Sequence, residues 1–159
     1  MKRLYICVLF LCAFAGSVFA DSKWTLYKTD YETGTMQEMI YALAIEDNTI
    51  WVGTAGGVVK WNRKTGAFFR YTAKDGLVND YISAIAIDHN GVKWFGHYCD
   101  NTPPVAITSY NNVAWKHYTK ETVPEFAQTD SVYNDRWKAS IDDILVDPTN
   151  TVLISSSGY

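Results

Sequence analysis

Several groups of side chains in this 159-residue sequence have the types and spacing to do chemistry. His97, Cys99 and Asp100, with His117 as a fourth ligand, would be a metal set, yet their spacing follows no tetrahedral zinc pattern. The turns at Asp47-Asn48-Thr49 and Asp88-His89-Asn90-Gly91 offer too few alternating oxygens for calcium and read as hairpin turns. Asp142 and Asp143 are an adjacent acidic pair, but neighbours on a regular strand point to opposite faces and cannot act together as acid and base. The richest group mixes rings with charges: Tyr98 and Asp100 in one segment, Glu121, Glu125, Phe126, Asp130, Tyr133, Asp135, Arg136 and Trp137 in another. Such rings stack on the apolar face of a sugar, while carboxylates and a guanidinium bond its hydroxyls. Tyr98, Asp100, Glu125, Phe126, Asp130, Tyr133, Arg136 and Trp137 are therefore the candidate ligand-binding residues. The alternative is a solvated loop whose aromatic residues cap neighbouring packing. No metal, cofactor or catalytic activity is expected.

What must position these residues is a repeat. Ile40-Tyr41-Ala42-Leu43-Ala44-Ile45 is echoed by Ile82-Ser83-Ala84-Ile85-Ala86-Ile87 and more faintly by Ile141-Asp142-Asp143-Ile144-Leu145-Val146. Each copy is followed by a turn and a second apolar run: Ile50-Trp51-Val52-Gly53-Thr54, Lys93-Trp94-Phe95-Gly96-His97 and Val152-Leu153-Ile154-Ser155-Ser156. An aromatic-x-x-Tyr unit recurs at Trp24 to Tyr27, Phe68 to Tyr71 and Trp115 to Tyr118, its tyrosines 44 and then 47 residues apart. Short β-branched and aromatic runs between Gly and Asn turns read as strands. One unit is a meander with strands at 40–45, 50–54, 57–61 and 67–72. A period in the forties with four strands predicts an all-β fold of β-propeller blades, each a four-stranded antiparallel meander. The chain holds about three of them, in an incomplete arc: a closing strand at 24–28, blades at 40–72 and 82–119, and a half blade at 141–159.

Within each unit, Trp51 and Trp94 are expected to fill the space between blades. Gly53 and Gly96 share one offset, Gly57 lets the chain reverse, and Gly76 and Leu77 belong to a blade connector with Leu77 tucked between blades. Because strand direction alternates, the segments at 97–104 and 120–138 emerge on one face of the meanders. That face is the expected ligand or partner surface, since rigid scaffolds display their binding residues on loops.

Ile-x-Ala-Ile-x-x-Asp, then Gly-x-x-Trp-Phe-Gly, the Gly56-Gly57 reversal, Tyr71-Thr72 and Lys74-Asp75-Gly76-Leu77 together resemble the two-component regulator propeller repeats. Those repeats occur in extracytoplasmic sensor regions of bacterial hybrid histidine kinases. The resemblance covers most of 24–159 and is strongest from Ile40 to Gly96. It departs in the third unit, where Leu153 stands at the Trp position and Ser155-Ser156-Ser157 at the Gly-Thr segment. The resemblance implies a ligand-sensing module, often for glycan fragments, of which this chain would be an N-terminal fragment. A non-catalytic scaffold or adhesion module of the cell envelope is the second reading; a fragment of a propeller lyase or lactonase is the third.

Residues 1–20 read as a secretory signal peptide: Lys2-Arg3, an apolar run, and small residues before a cleavage point after Ala20. The remaining 21–159 form the propeller segment, expected to be periplasmic or extracellular with no membrane insertion. Without Lys2 and Arg3, twelve basic side chains face 17 acidic ones, a charge of about −5 that disfavours nucleic acid. Cys7 and Cys12 leave with the signal, so Cys99 has no internal disulfide partner. The expected partners are an unidentified ligand of carbohydrate type and, at the open edges, further blades or another copy.

Overall fold

The computed structural model describes residues 39–99, 106–119, 121–123 and 139–157. The proposed signal peptide and the closing strand at 24–28 lie outside these residues, as do Asp100, Glu125, Phe126, Asp130, Tyr133, Arg136 and Trp137. All regular structure among the described residues is β. The order is β1 (Ile40–Glu46), β2 (Thr49–Thr54), β3 (Gly57–Asn62), β4 (Phe68–Tyr71), β5 (Ile82–Ile87), β6 (Lys93–Cys99), β7 (Ile107–Tyr110), β8 (Trp115–Tyr118), β9 (Ala139–Val146) and β10 (Val152–Ser157). Strands β1 to β4 form one antiparallel meander, and β5 to β8 form a second. The pair β9–β10 repeats the first half of this pattern. These are β-propeller blades: β1 packs on β5 and β5 on β9, so the first strand of each unit is the inner one.

Turn chemistry ends the strands where the sequence places it. Asp47, Asn112 and Asn150 take positive φ, as do Gly66 and Gly91, in the tight reversals that hairpins need. The blades then bury one apolar face against the next. Trp51 and Val58 of the first blade meet Leu77, Ile82 and Phe95 in one core. Ala84 and Ile107 of the second meet Ile141 and Ile144 of the third in another. Gly53 and Gly96 are sockets for these contacts. A Cβ on Gly53 would lie 2.8 Å from Ile82 Cγ2, and one on Gly96 2.5 Å from Ile141 Cγ2. Ile82 and Ile141, in the inner strands of the second and third units, thus seat on the glycine of the preceding blade. Ser155 pairs with Asp143 as Gly53 pairs with Ala42 and Gly96 with Ala84, so the third unit carries a side chain at the socket position.

Two features depart from a strict meander. Strand β6 runs past the start of β5, and its end pairs with the next blade, Tyr98 opposite Ser140 and Cys99 opposite Ala139. This joins the second and third units into one six-stranded sheet. The second departure corrects the regular alternation expected along the inner strands. Each carries one extra residue at the same place: Tyr41 between Ile40 and Ala42, Ser83 between Ile82 and Ala84, Asp142 between Ile141 and Asp143. These are β-bulges, and they reverse the facing of the residues that follow. Hence Ile82 packs in the first core and Ala84 in the second, although two residues apart they would share a face on a regular strand. The opposite-face argument applied to Asp142 and Asp143 loses its premise here, because Asp142 is the bulged residue.

Candidate functional site

The two ends of the sheets differ in their chemistry. At the turn end, where β1 meets β2 and β3 meets β4, polar groups are closely paired. Lys93 Nζ, 0% exposed, donates to Glu46 Oε1 at 2.7 Å, the Gly91 carbonyl at 2.8 Å and Asn112 Oδ1 at 2.9 Å. It also lies 5.3 Å from the Trp51 ring centroid, a cation–π arrangement. Trp51 Nε1 donates to Glu46 at 3.3 Å, and Trp94 Nε1 repeats the contact with Asp88 at 3.1 Å. In the third unit no tryptophan among the described residues donates to Asp147. Hydrogen bonds from the Thr151 N–H and from Thr149 hold its carboxyl below the usual range instead.

The connector end is built differently. The segment 72–81 leads from β4 to β5, tied by Thr72 and Asp75, with Gly76 at φ 128° under the Trp115 ring. Leu77 seals it into the first core. Beyond it, three tyrosines from three segments form a ladder: Tyr41 from the β1 bulge, Tyr81 just before β5, and Tyr98 near the end of β6. Ring centroids are 4.8 Å apart at both steps, with the planes inclined by 36° and 40°. Asn79 fixes the spacing, its Oδ1 accepting from the Tyr81 N–H at 2.9 Å and its Nδ2 donating to the Tyr98 carbonyl at 3.3 Å. The Tyr98 N–H donates to the Tyr81 carbonyl at 3.1 Å. Burial, then the hydrogen bond with Tyr41, pushes the Tyr81 phenol up to about 12. The ladder is therefore neutral at physiological pH at its central ring, while Tyr41 remains 38% exposed.

Beneath the ladder His97 is fully buried, Nε2 2.7 Å from Thr108 Oγ1 and Nδ1 3.3 Å from Asn79 Oδ1. Asn79 Oδ1 can only accept, so Nδ1 carries the proton and Nε2 accepts from the threonine hydroxyl. Burial, with the nearby His117 adding to it, lowers the His97 pKa to about 3. His117 Nε2 is spoken for by the Gly76 carbonyl at 2.8 Å. Both histidines of the metal set are thus engaged in hydrogen bonds. Among the described residues no three His, Cys, Asp or Glu side chains converge.

Of the ligand-binding residues picked out in the sequence, Tyr98 lies in the ladder, and the others fall outside the described residues. The β6–β9 pairing brings the flanks of both long segments together, since 100–105 follows Cys99 and 120–138 precedes Ala139. Tyr41 and Tyr81 were not among the sequence candidates. Their one signal is position: each lies within one residue of the isoleucine that starts an inner strand. Of the repeat residues, Trp51 is fully buried, Trp94 packs at the edge of the second core, and Gly57 takes φ 115° against the Tyr71 carbonyl.

Blades of this kind define a class of fold, the β-propeller. No protein-family model matches the sequence, and no curated protein does. Two solved structures of the extracellular domain of BT4673 from B. thetaiotaomicron, described as a one component and as a hybrid two component system, share the fold. They match with a TM-score of 0.53 each, at 17% and 16% identity, over 87% and 89% of this chain. The chain spans 17% of the length of either. Likeness at this level of identity concerns the fold. Among the described residues, no helix is long and apolar enough to cross a membrane.

Proposed function

We propose that the chain is part of an extracytoplasmic ligand-sensing module that binds a carbohydrate on its connector end without transforming it. The observation that carries this reading is the tyrosine ladder: three rings at 4.8 Å steps, two of them tied by backbone and amide bonds, beside the joined flanks of the two long segments. Aromatic faces fixed in advance cost little ordering on binding, and the C–H face of a pyranose stacks on them. The partly buried phenols supply hydroxyls for the sugar's own. The fold shared with the extracellular domain of a B. thetaiotaomicron one or two component system supports placing the chain outside the cytoplasm, as does the signal-like start of the sequence. Candidate residues in the long segments, Asp100, Glu125, Phe126, Asp130, Tyr133, Arg136 and Trp137, would then complete the surface.

Calorimetric titration of the whole chain with neutral oligosaccharides tests this. Binding is expected, and Tyr81→Ala is expected to weaken it at least tenfold. No heat with any sugar of a broad panel would refute the reading and leave a scaffold or adhesion role, in which a protein partner replaces the glycan.

A further inference from the structure

We infer that the tip of the β3–β4 hairpin in the first blade is a docking surface for a lipid bilayer with anionic headgroups. This surface is separate from the carbohydrate end and lies at the opposite end of the sheets. Charge is placed unevenly along the chain. Basic side chains number 14 and acidic ones 17, yet no acidic residue stands between Asp47 and Asp75, a stretch that holds Lys60, Arg63, Lys64, Arg70 and Lys74. Lys74 lies in the connector, and the other four belong to the hairpin. Arg63 and Lys64 are exposed in the turn, and their side chains make no hydrogen bond or ion pair among the described residues. Lys60 Nζ lies 5.3 Å from the Trp51 ring centroid, with no carboxylate partner among those residues. The neighbouring β1–β2 turn is tied to the tip by the Arg63 N–H, which donates to the Asn48 carbonyl at 2.7 Å. It contributes Asp47, which no ion pair joins to Arg63 or Lys64 among the described residues. Four cations thus face one such carboxylate on a chain that is acidic as a whole.

Two exposed rings accompany these cations. Phe68 is 51% and Phe69 54% exposed, and as neighbours on a strand they point to opposite faces. Lys60 is paired with Phe69, and Arg70 follows Phe68 at the spacing that shares its face, so each face of the hairpin carries one ring and one cation. A folded protein partner covers one face of such a hairpin. A fluid bilayer surface takes in rings on both sides of a tip and supplies anionic headgroups at the same depth. The tip is also fixed in advance. Asn62 Oδ1 accepts from the Lys64 and Thr65 N–H groups at 2.9 and 3.1 Å, and the Gly66 N–H donates to the Asn62 carbonyl at 2.9 Å. Docking therefore costs little ordering of the turn. The second blade shows that the fold itself requires none of these side chains. There the pair Tyr110–Trp115 stands for Trp61–Phe68, the turn Asn111-Asn112-Val113-Ala114 bears no charge, and Lys116 takes the place of Phe69. Docked in this way, the tip lies in the headgroup layer without crossing the bilayer, and the connector end of the same blade faces away from it.

The whole chain is titrated with vesicles of phosphatidylcholine, alone or mixed with phosphatidylglycerol, while hydrogen exchange of the amides at 62–69 is followed. Vesicles containing phosphatidylglycerol are expected to slow exchange at the tip, those of phosphatidylcholine alone to do so far less, and high salt to reverse the slowing. Arg63→Gln combined with Lys64→Gln should raise the lipid concentration that half-protects the tip about tenfold, and Phe69→Ser should raise it about threefold. Thermal melting of each variant at the temperature of the parent separates lost docking from lost fold. The double variant, confined to exposed turn residues, carries the test if Phe69→Ser melts early. Exchange is read at the tip because Lys2, Arg3 and the apolar run after them can attach the chain to vesicles without engaging the hairpin. Unchanged exchange at 62–69 on anionic vesicles would overturn the inference, as would slowing that persists undiminished in the double variant. Equal slowing by soluble glycerophosphate would replace the bilayer with a phosphate ligand. Slowing by polyglutamate and not by vesicles would replace it with an acidic protein, and either result overturns the bilayer assignment. Sugar binding at the connector end is expected to be the same in all these variants.

Discussion

The turn end and the connector end of these blades are made from the same strands and treat polar groups in opposite ways. At the turn end a fully buried ammonium group has three partners, and the Trp51 and Trp94 indoles each donate to a carboxylate. At the connector end a serine oxygen is buried with no partner among the described residues, and Tyr41 is 38% exposed. Buried polar groups are costly unless satisfied, so the first end is where the blades are fastened together. On the proposed function, the second is the binding end. If this division holds, substitutions at the turn end cost stability and those at the connector end cost binding.

The largest effect belongs to Trp51, which fills the first core from the turn side. Trp51→Ala should destabilise by about 4 kcal/mol, as truncation of a fully buried aromatic side chain does. Leu153, at the equivalent place in the third unit, is 48% exposed, and Leu153→Ala should cost only about 1 kcal/mol. Urea denaturation midpoints of the two variants check the contrast. Equal losses would show that the third blade is packed as tightly as the first.

Next is the ion pair that spans the first two blades. Glu46→Gln leaves the buried Lys93 ammonium without its counter-charge, at a cost of about 3 kcal/mol. Lys93→Met should cost less, because Glu46 is 28% exposed and water can solvate its carboxylate. The reverse order would mean that Gly91 and Asn112 suffice to hold the lysine. Such a pairing was not readable in the sequence, since Glu46 and Lys93 are 47 residues apart and only the packing of one blade on the next brings them together. The strands and turns were readable, because period-two patterning and residues such as Asn112 and Gly91 act locally. The bulges were hidden for a particular reason. The extra residue is the one that varies, so aligning Ile-Tyr-Ala with Ile-Ser-Ala looks like ordinary alternation. The ladder was hidden because its three rings come from three segments, and of these only Tyr98 stood in a segment that interrupts the repeat. The β6–β9 pairing likewise depends on flanks that no repeat specifies.

A smaller effect comes from acid, and it reaches the connector end through its support. His97 is neutral when folded and ionises near 3, whereas in the unfolded chain it ionises near its ordinary value of 6.5. Between those values the unfolded state binds the extra proton, so stability falls as pH drops through 6.5 and the loss stops growing near 3. At pH 5 the loss is on the order of 2 kcal/mol relative to pH 7. His97→Gln should flatten this part of the curve at some cost in absolute stability. An unchanged slope in that variant would assign the acid sensitivity to the carboxylates instead.

The smallest effect has the opposite sign, and for that reason it separates the two ends most sharply. Ser83→Ala removes a buried oxygen that has no partner among the described residues, and a methyl group fits where the hydroxymethyl was. Losing an unsatisfied group is neutral or favourable, so the variant should be as stable as the parent or up to about 1 kcal/mol more stable. Thermal melting of the two proteins gives the comparison. A Ser83→Ala variant less stable than the parent by more than 1 kcal/mol without sugar would show that the hydroxyl is already satisfied, and that the connector end is fastened in the same way as the turn end.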